Sequence, residues 1–529
     1  MKRIFVTIST LVMLLSVTSA LAEPNFVIKN DYTLPVVDEP VTYTMMSETA
    51  FEFEGADMET LADGLAYKEW FKRTNVSLDI MPTAMNAFSD AYSIMLASGD
   101  YPDIVNLPYG TTLYKGGLDA AIRDGVYLRL NELAEEHMPN FWALINTDDE
   151  TRRQAFTPDG NLKGIMNVWI PAQHNWFGPV LRKDWLDDLG MDMPETYDDW
   201  HEMLTLFKNE KGATAPLLLP SNGMVSTGLG ASHFANGFGT CDSFYVDNNG
   251  KVHWGPVSEG YRKYVETMAQ WYQEGLIDAD FYGRNNNFIP DTSLTTTGVA
   301  GAWFEMYTEI DNRGRQSDDP NYHLVPVPDP VVNKGDKISI WRTSGYINGP
   351  TWYITTACED PVPLLKAIDY LFTEDGYHLS QYGFEGESYE VIDGVYQFSE
   401  NVYANPNGMS RNSALFYYTL KGAPTIYVYH KEKIQLSDDA FNAPEVWDSN
   451  ITSESQVYTS FAEMTAEESE RYYAIFDDLD TYVKENLVKF INGSRPLSEY
   501  EDYLQQCYNM GAEELISIKQ QALDRYMSK

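Results

Sequence analysis

The chain has 529 residues, with 37 Lys and Arg against 78 Asp and Glu, a formal net charge of −41. Such a surface repels nucleic acid and anionic lipid, and it disfavours an anionic ligand unless a local basic pocket overrides the field. At roughly 100–200 residues per domain, the length allows two to four domains, with ample chain for a large core.

Met1 to Ala22 reads as an export signal and not as part of the fold. Lys2 and Arg3 precede a mainly apolar run from Ile4 to Val17, and Ala20-Leu21-Ala22 is a small-x-small cleavage site. The run is shorter than the ~20 residues that span a bilayer, and no later segment is long and apolar enough, so no stable membrane insertion is expected after cleavage. The first cysteine is Cys241, far from the cleavage site, so a lipid-anchoring cysteine is absent there. Cys241, Cys358 and Cys507 are widely spaced and odd in number, fit no metal or disulfide pattern, and read as buried free thiols.

Glu23 to Pro40 is a leader. Val41 to Met45 alternates like a first strand, Leu61 to Arg73 is helical with Leu61, Leu65 and Trp70 near one face, and Asn75 to Ile80 is a second strand. Asp90 to Ser98 forms a helix closed by Gly99, followed by the short strand Asp103 to Asn106. This β-α-β-α-β order predicts a parallel α/β lobe, with ligand beyond the carboxyl ends of its strands, where Asn106 to Gly110 fall. Thr157 to Lys163 and Val246 to Trp254 read as hairpin turns. Asp247 to Lys251 lacks the alternating oxygen ligands of a calcium loop.

From Val180 to Gly212 the chain reads as strand, short helix, turn and longer helix. Leu181 ends the strand, Asp184 is placed to cap the first helix, and Gly190 to stop it. Thr196 to Asp199 is a capping box, after which Trp200, Met203, Leu204 and Phe207 form a core-facing stripe. Trp185 and Trp200 are therefore assigned to core. Further helices are predicted over Tyr261–Gly275, Pro363–Thr373, Glu467–Phe490 and Ser498–Met527. Thr297 to Phe304 reads as a small-residue strand and Asn321 to Pro330 as an extended segment.

Catalytic signatures are missing. There is no G-x-S-x-G elbow, His201-Glu202 is followed by Thr205 where a zinc motif needs His, and Gly228-Leu-Gly230 lacks the third glycine of a dinucleotide fingerprint. Asp184, Asp187 and Asp188 lie along one amphipathic helix and not across a cleft, as a glycosidase pair would. No enzyme activity, cofactor or metal is expected.

Several segments in order resemble the extracellular solute-binding proteins, family 1, of ABC importers, in particular the long oligosaccharide-binding branch of the LipO and aldouronate-transport type. They are Ala97 to Val105, Leu181 to Gly190, Trp271 to Asp278, Leu364 to Gly376, Phe490 to Gly493 and Gln520 to Tyr526. The resemblance implies a two-lobe α/β periplasmic-binding-protein fold with hinge crossovers and a helical C-terminal region. Applied to this chain, lobe 1 takes about 41–170 and 298–348, and lobe 2 about 171–297 and 349–529. Many relatives carry a lipid-anchoring cysteine that this chain lacks, so a free periplasmic or secreted monomer is expected.

Sugar recognition combines aromatic stacking with hydrogen bonds to hydroxyls. The chain has 36 Tyr, 24 Phe and 12 Trp, and those near the expected crossovers and strand ends are the candidates. They are Trp169, His174 and Trp176 at the first crossover, Trp303 and Glu305 after the small-residue strand, and Trp341, Arg342, Tyr346 and Trp352 around the third. Tyr109 and the loop pair His233 and Phe234 complete the set. Arg342 is suited to hydroxyls or to a uronate carboxylate. The expected function is capture of an oligosaccharide in the interlobe cleft and delivery to permease subunits, with hinge closure as the signal. A receptor for peptides or another polar solute, and a secreted carbohydrate-active enzyme, remain open alternatives at this point.

Overall fold

The computed structural model describes residues 32–49, 51–84, 87–107, 113–170, 175–219, 234–282, 291–341, 345–392, 395–403, 409, 411–428, 436–452, 455–459 and 461–528. The export signal expected at 1–22 lies outside them, as do residues 23–31 of the leader. Among described residues no helix is long and apolar enough to cross a membrane.

In chain order the strands begin with β1 (Val41–Thr49), β2 (Val76–Ala84), β3 (Ile104–Leu107), β4 (Ile165–Trp169) and β5 (Phe177–Arg182). Next come β6 (Phe244–Val246), β7 (Val252–Trp254), β8 (Ala302–Met306) and β9 (Leu324–Pro326). The last are β10 (Ile347–Ile354), β11 (Tyr389–Ile392), β12 (Val395–Phe398) and β13 (Ile426–Tyr427). The chain divides into two units, Met1–Gln173 with Gly345–Gln435 and His174–Ser344 with Leu436–Lys529.

The first unit holds a six-stranded sheet ordered β13-β4-β10-β3-β1-β2. β1 pairs in parallel with β2 and β3, β13 runs parallel to β4, and β10 is antiparallel between β3 and β4. The predicted β-α-β-α-β start is realised. Its helices Leu65–Thr74 and Phe88–Ser98 each stop on a left-handed residue, Asn75 and Gly99, whose N–H closes the last turn. Tyr67 and Trp70 of the first helix are fully buried, with the Trp70 ring 6.2 Å from Trp352 of β10. Burying a side chain of this size stabilises by about 3 kcal/mol. In β10 the register shifts between Ile347 and Thr351, and Gly349 sits there at φ +99°, where a Cβ would meet Asn167 Nδ2 at 2.8 Å.

The second unit differs in kind. Its sheet, β8-β5-β9, is antiparallel throughout, β6 and β7 form a separate hairpin, and long helices surround them. The capping box is present: Thr196 Oγ1 accepts from Asp199 N at 3.1 Å and Asp199 Oδ2 accepts from Thr196 N at 2.9 Å. Trp200, Met203, Leu204 and Phe207 are buried as the stripe predicts, and Trp185 joins them. Asp184 is not the cap of helix Lys183–Leu189. Arg182 holds that position, and its guanidinium donates to both Asp184 oxygens, at 2.8 and 2.6 Å, and to Asp319 Oδ2 at 2.7 Å. Asp247 sits in the β6–β7 turn, where its Oδ1 accepts from Asn249 N and Lys251 N. His253 leads in holding its carboxyl down at about 2. The helix expected over 498–527 is two helices, Tyr500–Asn509 and Ala512–Met527, parted at Gly511 with φ +110°. All three cysteines are buried and free.

The expected lobe boundaries need correction. Residues 298–344 belong to the second unit, because β8 and β9 both pair with β5. Residues 345–435 belong to the first, because β10 pairs with β3 and β4, and β13 with β4.

Candidate functional site

The carboxyl ends of β1, β3, β4 and β13 and the start of β10 lie at one end of the first unit's sheet. Trp169 ends β4 in register with Tyr427 of β13, and their rings lie 3.8 Å apart at 36°. The Tyr346 carbonyl accepts from Trp169 N at 2.7 Å, while Tyr346 N donates to the buried Gln154 Oε1 at 2.8 Å. Trp169, Tyr346 and Tyr427 are half-buried, so part of each ring faces out. On β3, Asn106 stands opposite Ser47, and its Nδ2 donates to Ser47 Oγ at 3.0 Å. Its buried Oδ1 has no hydrogen-bond partner among the described residues. Burial raises the neighbouring Glu48 carboxyl above the usual range. The rings of Trp169 and Tyr427 thus stand on β4 and β13, while Asn106 and Glu48 stand on β3 and β1 across β10.

The second unit gathers a similar set beside β5. Trp176 is half-buried against Phe177, and its carbonyl accepts from Tyr307 N at 3.1 Å. The preceding residue, Asn175, is buried and donates to Asp448 Oδ1. Asp448 follows Trp447, whose indole lies flat on the backbone of Gly178 and donates to Pro179 O at 2.9 Å. Asp329 joins from another segment. Its Oδ2 accepts from Asn236 Nδ2 at 3.2 Å, and its carbonyl accepts from Asn450 Nδ2 at 2.7 Å. Burial first, with the nearby Asp329 charge adding, raises Asp448 to about 6 against the hydrogen bond from Asn175. Trp341 lies on the strip that runs from Ile338, whose N–H donates to Asn450 O at 2.9 Å. The Trp341 indole N–H is buried without a partner among the described residues, as are the Oδ1 atoms of Asn236 and Asn450.

Of the residues singled out in the sequence, Trp169 and Tyr346 meet in the first unit, and Trp176 and Trp341 stand at partly open positions in the second. Four others are corrected, because each is packed inside its own unit. Trp352 is 0% exposed, ringed by the first core and donating to Gly422 O. Trp303 and Glu305 are also 0% exposed, with the indole N–H and the Arg313 guanidinium both donating to Glu305 Oε2, at 3.2 and 2.7 Å. They lie on the opposite face of β8 from Ala302 and Phe304, which enter the second core. Phe234, 2% exposed, packs edge-on to Trp200 and Trp271. Tyr109, His174, His233 and Arg342 lie outside the described residues. The sequence reading placed Asn106 at the strand end where ligand is expected, but did not single out Tyr427, Asn175, Asn236, Asp329, Asp448 or Asn450. Single Asn and Asp residues in loops carry no periodic signal, and only their convergence marks them. Among described residues no three His, Cys, Asp or Glu side chains are grouped to hold a metal.

Comparison with known proteins supplies the context. The sequence profile of the bacterial extracellular solute-binding protein family matches residues 55–377. The fructooligosaccharide ABC transporter substrate-binding protein FusA of Streptococcus pneumoniae serotype 4 is 22% identical over 97% of this chain and 96% of that protein. The polygalacturonan/rhamnogalacturonan-binding protein YtcQ of Bacillus subtilis is 24% identical over 61% of this chain and 63% of that one. Among solved structures, the alginate-binding protein AlgQ2 superposes with a TM-score of 0.70 at 23% identity, covering 92% of this chain and 99% of that one. An extracellular solute-binding protein from Bifidobacterium longum subsp. infantis gives 0.74 at 16% identity, covering 92% and 98%. These likenesses show the α/β two-lobe binding-protein fold.

Proposed function

Since this chain belongs to the bacterial extracellular solute-binding protein family, we propose that it is the extracytoplasmic substrate-binding component of an ABC importer, capturing an oligosaccharide and handing it to permease subunits. The observation that carries this reading is the presence of half-buried rings at strand ends, Trp169 against Tyr427 in the first unit, and Trp176 next to the buried Asn175–Asp448 pair in the second. Ring faces stack on the apolar faces of sugars, and planar polar groups fix their hydroxyls. Near end-to-end similarity to a fructooligosaccharide-binding protein supports the same ligand class.

Recognition here needs no bond to be made or broken, so the protein acts by binding alone. It works as an exported monomer after removal of its N-terminal signal. Tyr109, His174, His233 and Arg342 join the ligand set on their sequence positions, and Trp169, Trp176, Trp341 and Tyr346 on their half-buried positions as well.

An array of oligosaccharides screened by thermal shift against the purified mature chain tests the reading. Stabilisation by one glycan class, with micromolar or tighter affinity in calorimetry, is expected. Stabilisation by peptides and by no glycan would overturn it, as would release of reducing sugar from a glycan by the pure protein.

A further inference from the structure

The polar groups gathered at Asp448 share one chemical bias. Asp448 and Asp329 are carboxylates that already draw in the amide N–H groups of Asn175 and Asn236. The Oδ1 atoms of Asn236 and Asn450 are acceptors without a donor, and Asn236 is only 2% exposed. The orientation of both amides is set by their Nδ2 bonds to Asp329, so the free atoms are oxygens and not nitrogens. A buried acceptor left unpaired is unfavourable, so the group that completes this cluster must bring donors. On the strip from Ile338, Trp341 supplies an indole N–H without a partner among the described residues.

A sugar hydroxyl gives a proton to one neighbour and accepts from another, which suits the acceptors of Asn236, Asn450 and Asp448. A uronate carboxylate brings only acceptors and a third negative charge beside Asp329 and Asp448. Like charges brought close together away from bulk water repel strongly, so such a carboxylate is disfavoured there. The same bias recurs at the first unit's strand ends, in the unpartnered Oδ1 of Asn106.

We propose that the Asp448–Asp329–Asn236–Asn450 cluster is a hydroxyl-recognising subsite that selects neutral oligosaccharides and rejects uronic-acid ones. This rests on the reading of the protein as an oligosaccharide receptor. It sets the chain apart from its polygalacturonan- and alginate-binding relatives.

The test is calorimetry of the full mature chain with neutral oligosaccharides and oligouronates matched in length, at low and at 0.5 M salt, with and without chelator. Neutral ligands are expected to bind at least 100-fold more tightly than any oligouronate, the gap narrowing at high salt. D448N is expected to weaken the neutral ligand at least tenfold while leaving the melting temperature of the free protein unchanged or higher, since it removes a buried charge. Oligouronates binding as well as neutral sugars would overturn the subsite but leave the receptor reading intact, whereas no glycan binding at all would sink that reading first. Stabilisation by Ca²⁺ alone, abolished by D448N, would assign the cluster to a cation instead.

Discussion

Replacing Arg182 by Met should unlock the second unit more than any surface change. The Arg182 side chain is 2% exposed and binds both oxygens of Asp184, whose side chain is 13% exposed. The guanidinium also stacks 4.7 Å over the Trp185 ring and 4.2 Å over Tyr322. Its third bond goes to Asp319, which is 40% exposed and so screened by water to little net value. With Arg182 gone, Asp184 keeps, among the described residues, the His323 N–H at 3.2 Å. Stranding one member of a buried ion pair costs about 3–5 kcal/mol. At about 2–4 °C per kcal/mol for a unit of this size, the melting temperature should fall by about 6–20 °C. R182K keeps the charge but loses the two-pronged contact and the stacking, and should lose about half as much. R182M/D184N removes the stranded charge and should be more stable than R182M alone. Denaturant unfolding followed by Trp fluorescence measures this, with the denaturant slope checked for constancy. An R182M loss below about 1 kcal/mol, or no recovery in the double variant, would refute the reasoning.

Asp369 is buried beneath donors from Asn140, Phe141 and Tyr32, yet burial still raises its carboxyl to about 6. Its folded value exceeds the unfolded one, so its stabilising contribution is full below about 4 and is lost as pH rises through 6. D369N should flatten the melting-temperature profile between pH 4 and 7, while costing about 1–3 kcal/mol overall in lost helix-capping bonds. Lys519 lies 4.7–5.7 Å over the rings of Tyr472, Tyr458 and Phe244, and burial lowers its ammonium to about 8. Stability from this group should rise between pH 8 and 10.5 and be lost as pH falls through 8, and K519M should abolish that rise in melting scans. A Cβ at Gly178 would lie 2.5 Å from the Trp447 ring, so G178A should cost about 1–3 kcal/mol by overpacking, read in the same denaturant assay. W169A should weaken oligosaccharide binding about tenfold or more in calorimetry, through the loss of roughly 1.5 kcal/mol of stacking.

Local devices were legible in the sequence. The Thr196–Asp199 capping box, the Gly99 and Gly190 helix stops and the Trp200–Phe207 stripe act within a few residues, where spacing alone decides geometry. Strand partnership was not legible. Ala302 to Met306 is buried on both faces, so its aromatics carry no clue to which sheet it joins, and Trp303 looked like a ligand platform when its partner is Glu305. Trp352 misled for the same reason, as an aromatic on a strand between two neighbours. The polar cluster was hidden because Asn175, Asn236, Asp329 and Asp448 stand tens to hundreds of residues apart and gain meaning only when folding brings them together.

Each unit is stitched from two separated stretches of chain, and this governs the order in which the molecule can form. The first sheet gains its flanking strand only at Ile426–Tyr427, and the second core is covered by helices that begin at Ala466. A chain emerging N-terminus first therefore has the pieces of both units exposed before either can close. Such late, long-range closure makes folding of each unit wait on synthesis of its second stretch. The two units are not delayed equally: the first has all its strands once Tyr427 has emerged, whereas the second waits for the helices that begin at Ala466, so truncation before Ala466 should spare the first core and uncover the second.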